Sequence, residues 1–254
     1  MNINIITLFP EMFDALQVGI VGRAIDQKLL QINTFNPRDA ALNERQTVDD
    51  HSYGGGPGMV MSYQPLADTL LKINTKTPTG NVIYLSPQGK PVTQDMLKKA
   101  AQTYNLPLIS GCYEGIDQRV IDNYVDEEWS VGDFVVSGGE LPAMLVIDGI
   151  TRLLPGALGH PDSAVQDSFQ DGLLDHPHYT RPQEIAGQAV PEVLLSGDHA
   201  LIKRYRLKQA LGNTWQKRPD LLKRRVLTSN EQQLLSEYIE ETPQDAEIKE
   251  TTHE

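Results

Sequence analysis

The chain has 254 residues, 39% of them hydrophobic and 22% charged, one cysteine, and a formal net charge of −12 from 22 Lys+Arg against 34 Asp+Glu. That length suits one large domain or two modest ones, and the apolar share excludes wholesale disorder. A lone Cys112 excludes an intrachain disulfide framework and any cysteine-based structural zinc site, and the acidic total argues against a nucleic-acid partner, because phosphate contacts need Lys and Arg.

Met1–Pro10 has no basic segment ahead of its short apolar run, so no signal peptide is expected. No stretch approaches the roughly 18 apolar residues that span a bilayer. The chain reads as soluble and cytoplasmic, without a membrane partner.

Strand-like runs fall at Ile3–Phe9, Leu30–Asn36, Asn81–Ser86, Leu106–Ser110 and Asp133–Ser137. Helix-like runs fall between them at Met12–Lys28, Gln64–Ile73, Thr93–Tyr104, Ile116–Val125 and Glu140–Leu154. This alternation predicts an α/β domain with a largely parallel sheet over residues 1–158. Residues 159–175 lack a period and read as an interdomain linker. Residues 176–242 hold few strand signals and two helical runs, Leu201–Leu211 and Asn230–Glu241, followed by an acidic tail over 243–254.

The most unusual segment is Tyr53-Gly54-Gly55-Gly56-Pro57-Gly58-Met59. Its glycines expose backbone N–H groups and admit positive φ, so the loop can lie close against a flat or anionic ligand. It is not a Walker A loop, since no Gly-Lys-Ser/Thr follows. Three further loops adjoin predicted strands: Ser86-Pro87-Gln88-Gly89, Gly111-Cys112-Tyr113-Glu114-Gly115-Ile116-Asp117, and Trp129-Ser130-Val131-Gly132-Asp133, which leads to Ser137-Gly138-Gly139-Glu140-Leu141-Pro142. Such loops suit a nucleoside held by main-chain groups. No Gly-x-Gly-x-x-Gly follows the first strand, which disfavours a Rossmann dinucleotide site.

Taken alone, Arg152 is a helix-end cation favoured by the helix dipole and Asp167 a solvated linker carboxylate. Asp175-His176-Pro177-His178 lacks the usual helical ligand spacing, so no metal site is expected there. Charge is unevenly placed. Residues 1–198 carry a net −13, His199–Thr228 a net +8, and residues 231–254 a net −7. The basic island, with Tyr205 and Trp215 inside it, is either a solvated helix face or a phosphate-contacting surface.

Thr7–Phe13, Thr47–Asp50 with Tyr53–Met59, Tyr84–Gly89, Tyr113–Asp117, Asp126–Pro142, Gly172–Pro182 and Leu194–His199 together resemble the bacterial tRNA (guanine-37-N1)-methyltransferase family, TrmD, from the first strand to about Leu222. The resemblance implies a SPOUT-type α/β fold with a C-terminal trefoil knot, followed by a small, mostly helical tRNA-binding domain. It also implies an obligate homodimer with active sites at the subunit interface. S-adenosylmethionine is then expected against Tyr84, Ser86, Pro87, Gln88, Gly89, Gly111, Tyr113, Glu114, Gly115, Ser130, Val131, Gly132, Asp133, Phe134, Val135, Val136, Ser137, Gly138, Gly139, Leu141 and Pro142.

By the same resemblance Asp167 is the general base for guanine N1 and serves the partner subunit's cofactor, while Arg152 stabilises charge on O6. Asp49 and the Tyr53, Gly54, Gly55, Gly56, Pro57, Gly58 loop hold the extruded guanine; Ser196, Gly197 and His199 contact RNA. Mg²⁺ assistance is implied, with no ligands assigned. Two positions depart from the family pattern: Cys112 stands where it has Arg, and Asp198 where it has Asn. Two other readings compete: a non-catalytic RNA-binding or assembly protein on the same fold, and a SPOUT ribose methyltransferase.

Overall fold

A strand buried on both faces needs a near-continuous apolar run, and the amino terminus supplies one. In the computed structural model, which describes residues 1–76, 80–159 and 167–242, that run becomes β1 (Asn2–Ile6). It is followed by a 3₁₀ segment (Pro10–Gln17), α1 (Gly19–Asp26), β2 (Gln31–Phe35), β3 (Asp49–Asp50), β4 (Val60–Met61) and α2 (Tyr63–Lys76). Then come β5 (Ile83–Pro91), α3 (Gln94–Ala100), β6 (Asn105–Ser110), α4 (Gln118–Tyr124), β7 (Glu127–Ser130) and α5 (Glu140–Thr151). The rest comprises β8 (Glu184–Ile185), β9 (Gln188–Ala189), α6 (His199–Lys217), α7 (Pro219–Lys223) and α8 (Ser229–Glu241). The tail over 243–254 and residues 160–166 of the expected linker lie outside the described residues.

The chain divides into two units, Met1–Pro161 and Asp162–Glu254. The first holds a five-stranded sheet in the order β2-β1-β6-β5-β7, with every pairing parallel. Alternate residues of each strand serve opposite faces. Ile3, Ile5, Leu106 and Leu108 pack with Val21 and Ala24 of α1 and with Val146, Ile147 and Ile150 of α5. Ile6, Tyr84 and Ile109 pack on the other face with Leu66 and Leu70 of α2 and Val120 of α4. The result is a three-layer α/β/α unit built on the largely parallel sheet that the sequence pattern predicts.

Two elements differ from expectation. The single helix expected over Met12–Lys28 is split, because Val18 is extended and Gly19 takes φ +70° between the 3₁₀ segment and α1. The strand expected over Asp133–Ser137 does not form; the edge strand is β7, which starts six residues earlier. Phe134 and Val135 are exposed, with no sheet neighbour to satisfy their β propensity. β7 escapes a hydropathy reading because it begins Glu127-Glu128; its anchor is buried Trp129, whose indole N–H donates to Glu127 Oε2 at 3.0 Å.

The second unit has its own small core of Leu173, Leu211 and Leu234, with α6 packed on α8. Gly212 permits that approach, since a Cβ there would meet the Tyr238 ring at 2.3 Å. A capping box between Thr228 and Glu231 starts α8. The short β8–β9 hairpin turns through Ala186 and Gly187, both at positive φ, a signal too brief for periodicity to reveal. Among the described residues, no helix is long and apolar enough to cross a membrane.

Candidate active site

In open parallel sheets, ligands bind beyond the carboxyl ends of strands where the strand order reverses. Here β5, β6 and β7 lie side by side, and their loops converge on one cavity of about 350 Å³. A cavity of about 760 Å³ elsewhere, lined by residues such as Asp14, Ile25, Gln31 and Tyr104 beside edge strand β2, is larger but has no comparable set of glycine loops. Chemistry favours the smaller one.

The first wall is a bulge rather than the expected loop after a strand. β5 leaves the ladder after Leu85 and rejoins at Lys90, and both residues face Trp129 of β7. Ser86-Pro87-Gln88-Gly89 is thereby pushed out towards the cavity. Gly89 is obligatory, since a Cβ would lie 2.4 Å from the Glu128 carbonyl carbon. The second wall follows β6, with Tyr113 at φ 62° and Gly115 at φ 126°. A Cβ on Gly111 would touch the Tyr84 ring at 2.8 Å. The third wall, residues 131–139, passes directly behind the second: Gly139 N–H donates to the Gly111 carbonyl at 2.8 Å, and Cys112 forms an antiparallel bridge with Gly138.

The cavity is lined by Tyr84, Ser86, Pro87, Gln88, Gly111, Tyr113, Glu114, Gly115, Ser130, Val131, Gly132, Phe134, Val135, Val136, Ser137, Gly138, Gly139 and Pro142. Gly89, Asp133 and Leu141, expected beside them, do not line it. Leu85, Gln118, Ile121 and Glu128 do line it, and sequence reasoning missed them; Ile116, within an expected loop but not named as a contact, lines it too. Ile116 and Ile121 look like ordinary core positions of a helix, and nothing in their spacing marks them.

A buried carboxylate ties these walls together. Glu140, first residue of α5 and 2% exposed, accepts a hydrogen bond from Thr7 Oγ1 at 2.7 Å and lies 3.8 Å from the Cys112 sulfur. Burial, reinforced by the Glu140 charge and its contact with the sulfur, pushes the Cys112 thiol up to about 12. The thiol therefore stays protonated across ordinary pH, and its thiolate forms only above that value. Native protein should resist iodoacetamide at about pH 8.5, where an unperturbed cysteine is half ionised, while urea-unfolded protein reacts. Mass spectrometry reads the adduct, and equal rates in the two states would refute the burial argument.

The glycine loop sits at the end of the β3–β4 ribbon, where Asp49 pairs with Met61. Gly54, Gly55, Gly56 and Gly58 all have positive φ, and Tyr53 is fully exposed. Its base is stitched to the second wall: Glu114 N–H donates to the Met59 carbonyl at 3.0 Å and Met61 N–H to the Gly115 carbonyl at 2.9 Å. A Cβ on Gly58 would come within 2.5 Å of the Glu114 carboxylate. The structure thus brings this loop against the cavity's edge, a juxtaposition the sequence separates by more than fifty residues.

Arg152 is not at the cavity mouth. It caps the carboxyl end of α5, whose amino end carries the cavity residue Pro142. Twelve helical residues separate the two ends by about 18 Å. Asp167 belongs to the second unit, half-buried, its carbonyl accepting from Gln170 N–H at 3.3 Å. Ser196 and Gly197 form the turn before α6, and Asp198 caps it by accepting from the Ala200 and Leu201 N–H groups. Asn and Asp serve equally as caps, so this departure from the family pattern preserves the helix start.

The basic island divides in two. Arg204 pairs with Glu237 at 2.7 Å, Lys208 with Glu241 at 2.6 Å, Arg218 with Asp220 at 2.8 Å, and Arg225 with Glu231. Lys203, Arg206, Lys217, Lys223 and Arg224 are exposed and stand in no close ion pair among the described residues, Arg224 acting on Asp220 only at longer range. At 100° per residue, Lys203, Arg206 and Lys217 share one face of α6, turned from the face that meets α8.

Comparison with known proteins decides the family. The tRNA (Guanine-1)-methyltransferase TrmD family profile matches residues 1–224. The chain belongs to that family. It is 58% identical over 246 residues to a tRNA (guanine-N(1)-)-methyltransferase of Coxiella burnetii strain RSA 493, covering 94% of this chain and 98% of that protein. It is 57% identical over 243 residues to the protein of that name in Pseudomonas putida strain W619, covering 95% and 97%. As a TrmD-family protein it is a methyltransferase, and its parallel sheet is consistent with the SPOUT class. The departure at Cys112 has a local reading within the family: its sulfur lies beside a buried carboxylate where the pattern has a cation.

Proposed function

We propose that this chain transfers a methyl group from S-adenosylmethionine to N1 of guanine 37 in tRNA, beside the anticodon, in the cytoplasm. The observation that carries the reading is the cavity built from three glycine-containing walls with the Tyr53–Met59 loop joined to its edge. Its fit to a nucleoside cofactor rests on close packing of the loops: a Cβ at Gly111 would meet the Tyr84 ring at 2.8 Å and one at Gly139 the Ser110 main chain at 2.7 Å, so these positions keep the backbone bare beside the cavity. S-adenosylmethionine supplies an electrophilic sulfonium methyl when bound.

The residues of the chain then orient and deprotonate. Guanine N1 carries a proton and is a poor nucleophile. Asp167 accepts that proton as the N1–methyl bond forms and the carbon–sulfur bond breaks, the bond electrons staying on sulfur. Negative charge spreads to O6, where the Arg152 guanidinium meets it. Extrusion of the guanine places its edge within reach, and Asp49 with the Tyr53–Gly58 loop receives it. Ser196, Gly197 and His199 contact the RNA nearby.

The proposal includes a homodimer. Arg152 lies ten residues, about 15 Å, along α5 from the cavity residue Pro142 of its own chain. The same helix exposes Leu141 and Leu145, at 50% and 61%, along the stripe that ends in Asp148 and Arg152. Large exposed leucines on one helix face mark an interaction surface. Isologous pairing with antiparallel α5 helices would carry each Arg152 to the amino end of the other α5, where the cavity lies. The trefoil threading is part of the same proposal, supported by the close pass of Gly139 behind Gly111. Mg²⁺ assistance belongs to the same proposal.

Nucleoside mass spectrometry of a tRNA transcript with guanine at 36 and 37, after incubation with the enzyme and labelled cofactor, tests the reading. N1-methylguanosine is expected; a 2′-O-methyl nucleoside, or none, overturns it. The exposed cations supply a second test. Lys203→Ala with Arg206→Ala should weaken tRNA binding and lower the slope of log affinity against log salt by about two, one per lost phosphate contact. Filter binding across a salt series reads both, and an unchanged slope removes this face from the RNA contact.

A further inference from the structure

The segment expected to hold no metal folds into a three-donor cluster in the second unit. Asp175, His176 and His178 each present one ligand-type atom, all within 4.8 Å of one another. His178 Nε2 lies 2.8 Å from Asp175 Oδ2, and His176 Nε2 lies 3.7 Å from Asp175 Oδ1. The two rings stack at 4.4 Å between centroids, tilted by 42°. Those separations bracket the donor–donor spacing of a tetrahedral site with metal–nitrogen and metal–oxygen distances near 2.0–2.2 Å.

The far nitrogen of the His176 ring has a partner of its own. His176 Nδ1 lies 3.1 Å from the Pro177 carbonyl, which can only accept, so Nδ1 carries the hydrogen and Nε2 keeps its lone pair for the cluster. A second ring nitrogen donating to a carbonyl is the usual support of a metal-binding histidine. The backbone beneath is pinned: Asp175 N–H donates to Ser168 Oγ at 2.9 Å, Asn213 Nδ2 to the Asp175 carbonyl at 2.9 Å, and Leu174 N–H to Thr214 Oγ1 at 2.9 Å. Pro177 between the two histidines restricts the chain further.

We propose that Asp175, His176 and His178 form a site for a divalent transition metal of the zinc class, with water completing the coordination. Two imidazoles and one carboxylate favour Zn²⁺ over Mg²⁺, which prefers oxygen donors in an octahedral set. The metal takes the place of the proton that His178 Nε2 shares with Asp175, and that proton leaves to solvent. All three ligands lie within residues 175–178, a segment whose backbone is tied to α6 through Asn213 and Thr214.

Isothermal titration calorimetry of the tag-free full chain with Zn²⁺ alone tests it. One Zn²⁺ per chain is expected, and Mg²⁺ in excess should not displace it. His178→Ala should weaken binding about tenfold or more. His178 is 70% exposed on its side chain, so this variant should keep the metal-free melting profile even if His176→Ala, only 12% exposed, does not fold. Co²⁺ in place of Zn²⁺ should give the absorption of a tetrahedral site, lost in His178→Ala. Absence of binding, Mg²⁺ competing on equal terms, or unchanged affinity in His178→Ala would each overturn the site and leave an ordinary Asp–His hydrogen bond.

Discussion

Asp167→Ala should lower methyl transfer by about 10²–10⁴-fold, the range a positioned general base contributes, while S-adenosylmethionine binding stays near wild type. The separation follows from the fold: Asp167 lies in the second unit, whereas every residue lining the cofactor-sized cavity lies in the first. Asp167→Asn is the sharper variant, because it keeps the shape and one acceptor oxygen but cannot take up the N1 proton. Single-turnover rates with bound tRNA, set beside cofactor affinity from calorimetry, distinguish the two effects. Loss of cofactor binding in step with turnover would show a structural role and remove Asp167 as the base.

Complementation between two inactive subunits is expected to restore activity. Consider a heterodimer of an Asp167→Ala chain and a Gly139→Val chain. In the second, the added side chain collides with the Ser110 main chain, 2.7 Å from where its Cβ must sit, and closes the cavity. If Asp167 serves the partner's cavity, one of the two sites has an intact cavity and an intact base, and the heterodimer recovers about half of wild-type activity. If base and cavity act within one chain, the heterodimer is as inactive as either parent. Differently tagged, co-expressed chains purified in tandem give the measurement. Activity at the parental level would overturn the shared-site reading, and a monomeric wild type in light scattering would overturn the dimer.

Gly139 also illustrates how far local sequence could be read. Ser137-Gly138-Gly139 was legible as an irregular glycine-rich loop beside a strand, one of several that together suggested a nucleoside site. That its backbone lies against Ser110 and Gly111, nearly thirty residues earlier, was not legible, since no periodicity encodes a contact between two loops. The bulge at Ser86–Gly89 was likewise readable as an irregular segment, but its insertion inside β5 opposite Trp129 depends on pairing with β7. β7 was misplaced because two glutamates open it, and the apolar Phe134-Val135-Val136 run drew the assignment away.

Charge shows the same division. The opening total of −12 disfavoured RNA, and segmenting the sequence exposed a local +8 at His199–Thr228. Only the folded second unit separates the four cations spent on Glu237, Glu241, Asp220 and Glu231 from the five left exposed. Helical spacing within α6 cannot make that distinction, because the partners come from α7 and α8.

By itself the sequence determined the α/β class, the parallel strands β1, β2 and β6, the glycine loops and the family, because each is written in contiguous residues: apolar runs, turn formers and long motifs. The tertiary structure alone decided which loops share a cavity, that Glu140 joins Thr7 to Cys112, that Arg152 stands a helix-length from the cavity of its own chain, and that Asp175, His176 and His178 converge. Those relations depend on chain segments distant in sequence or on ring and backbone orientation. Local propensity carries no information about either.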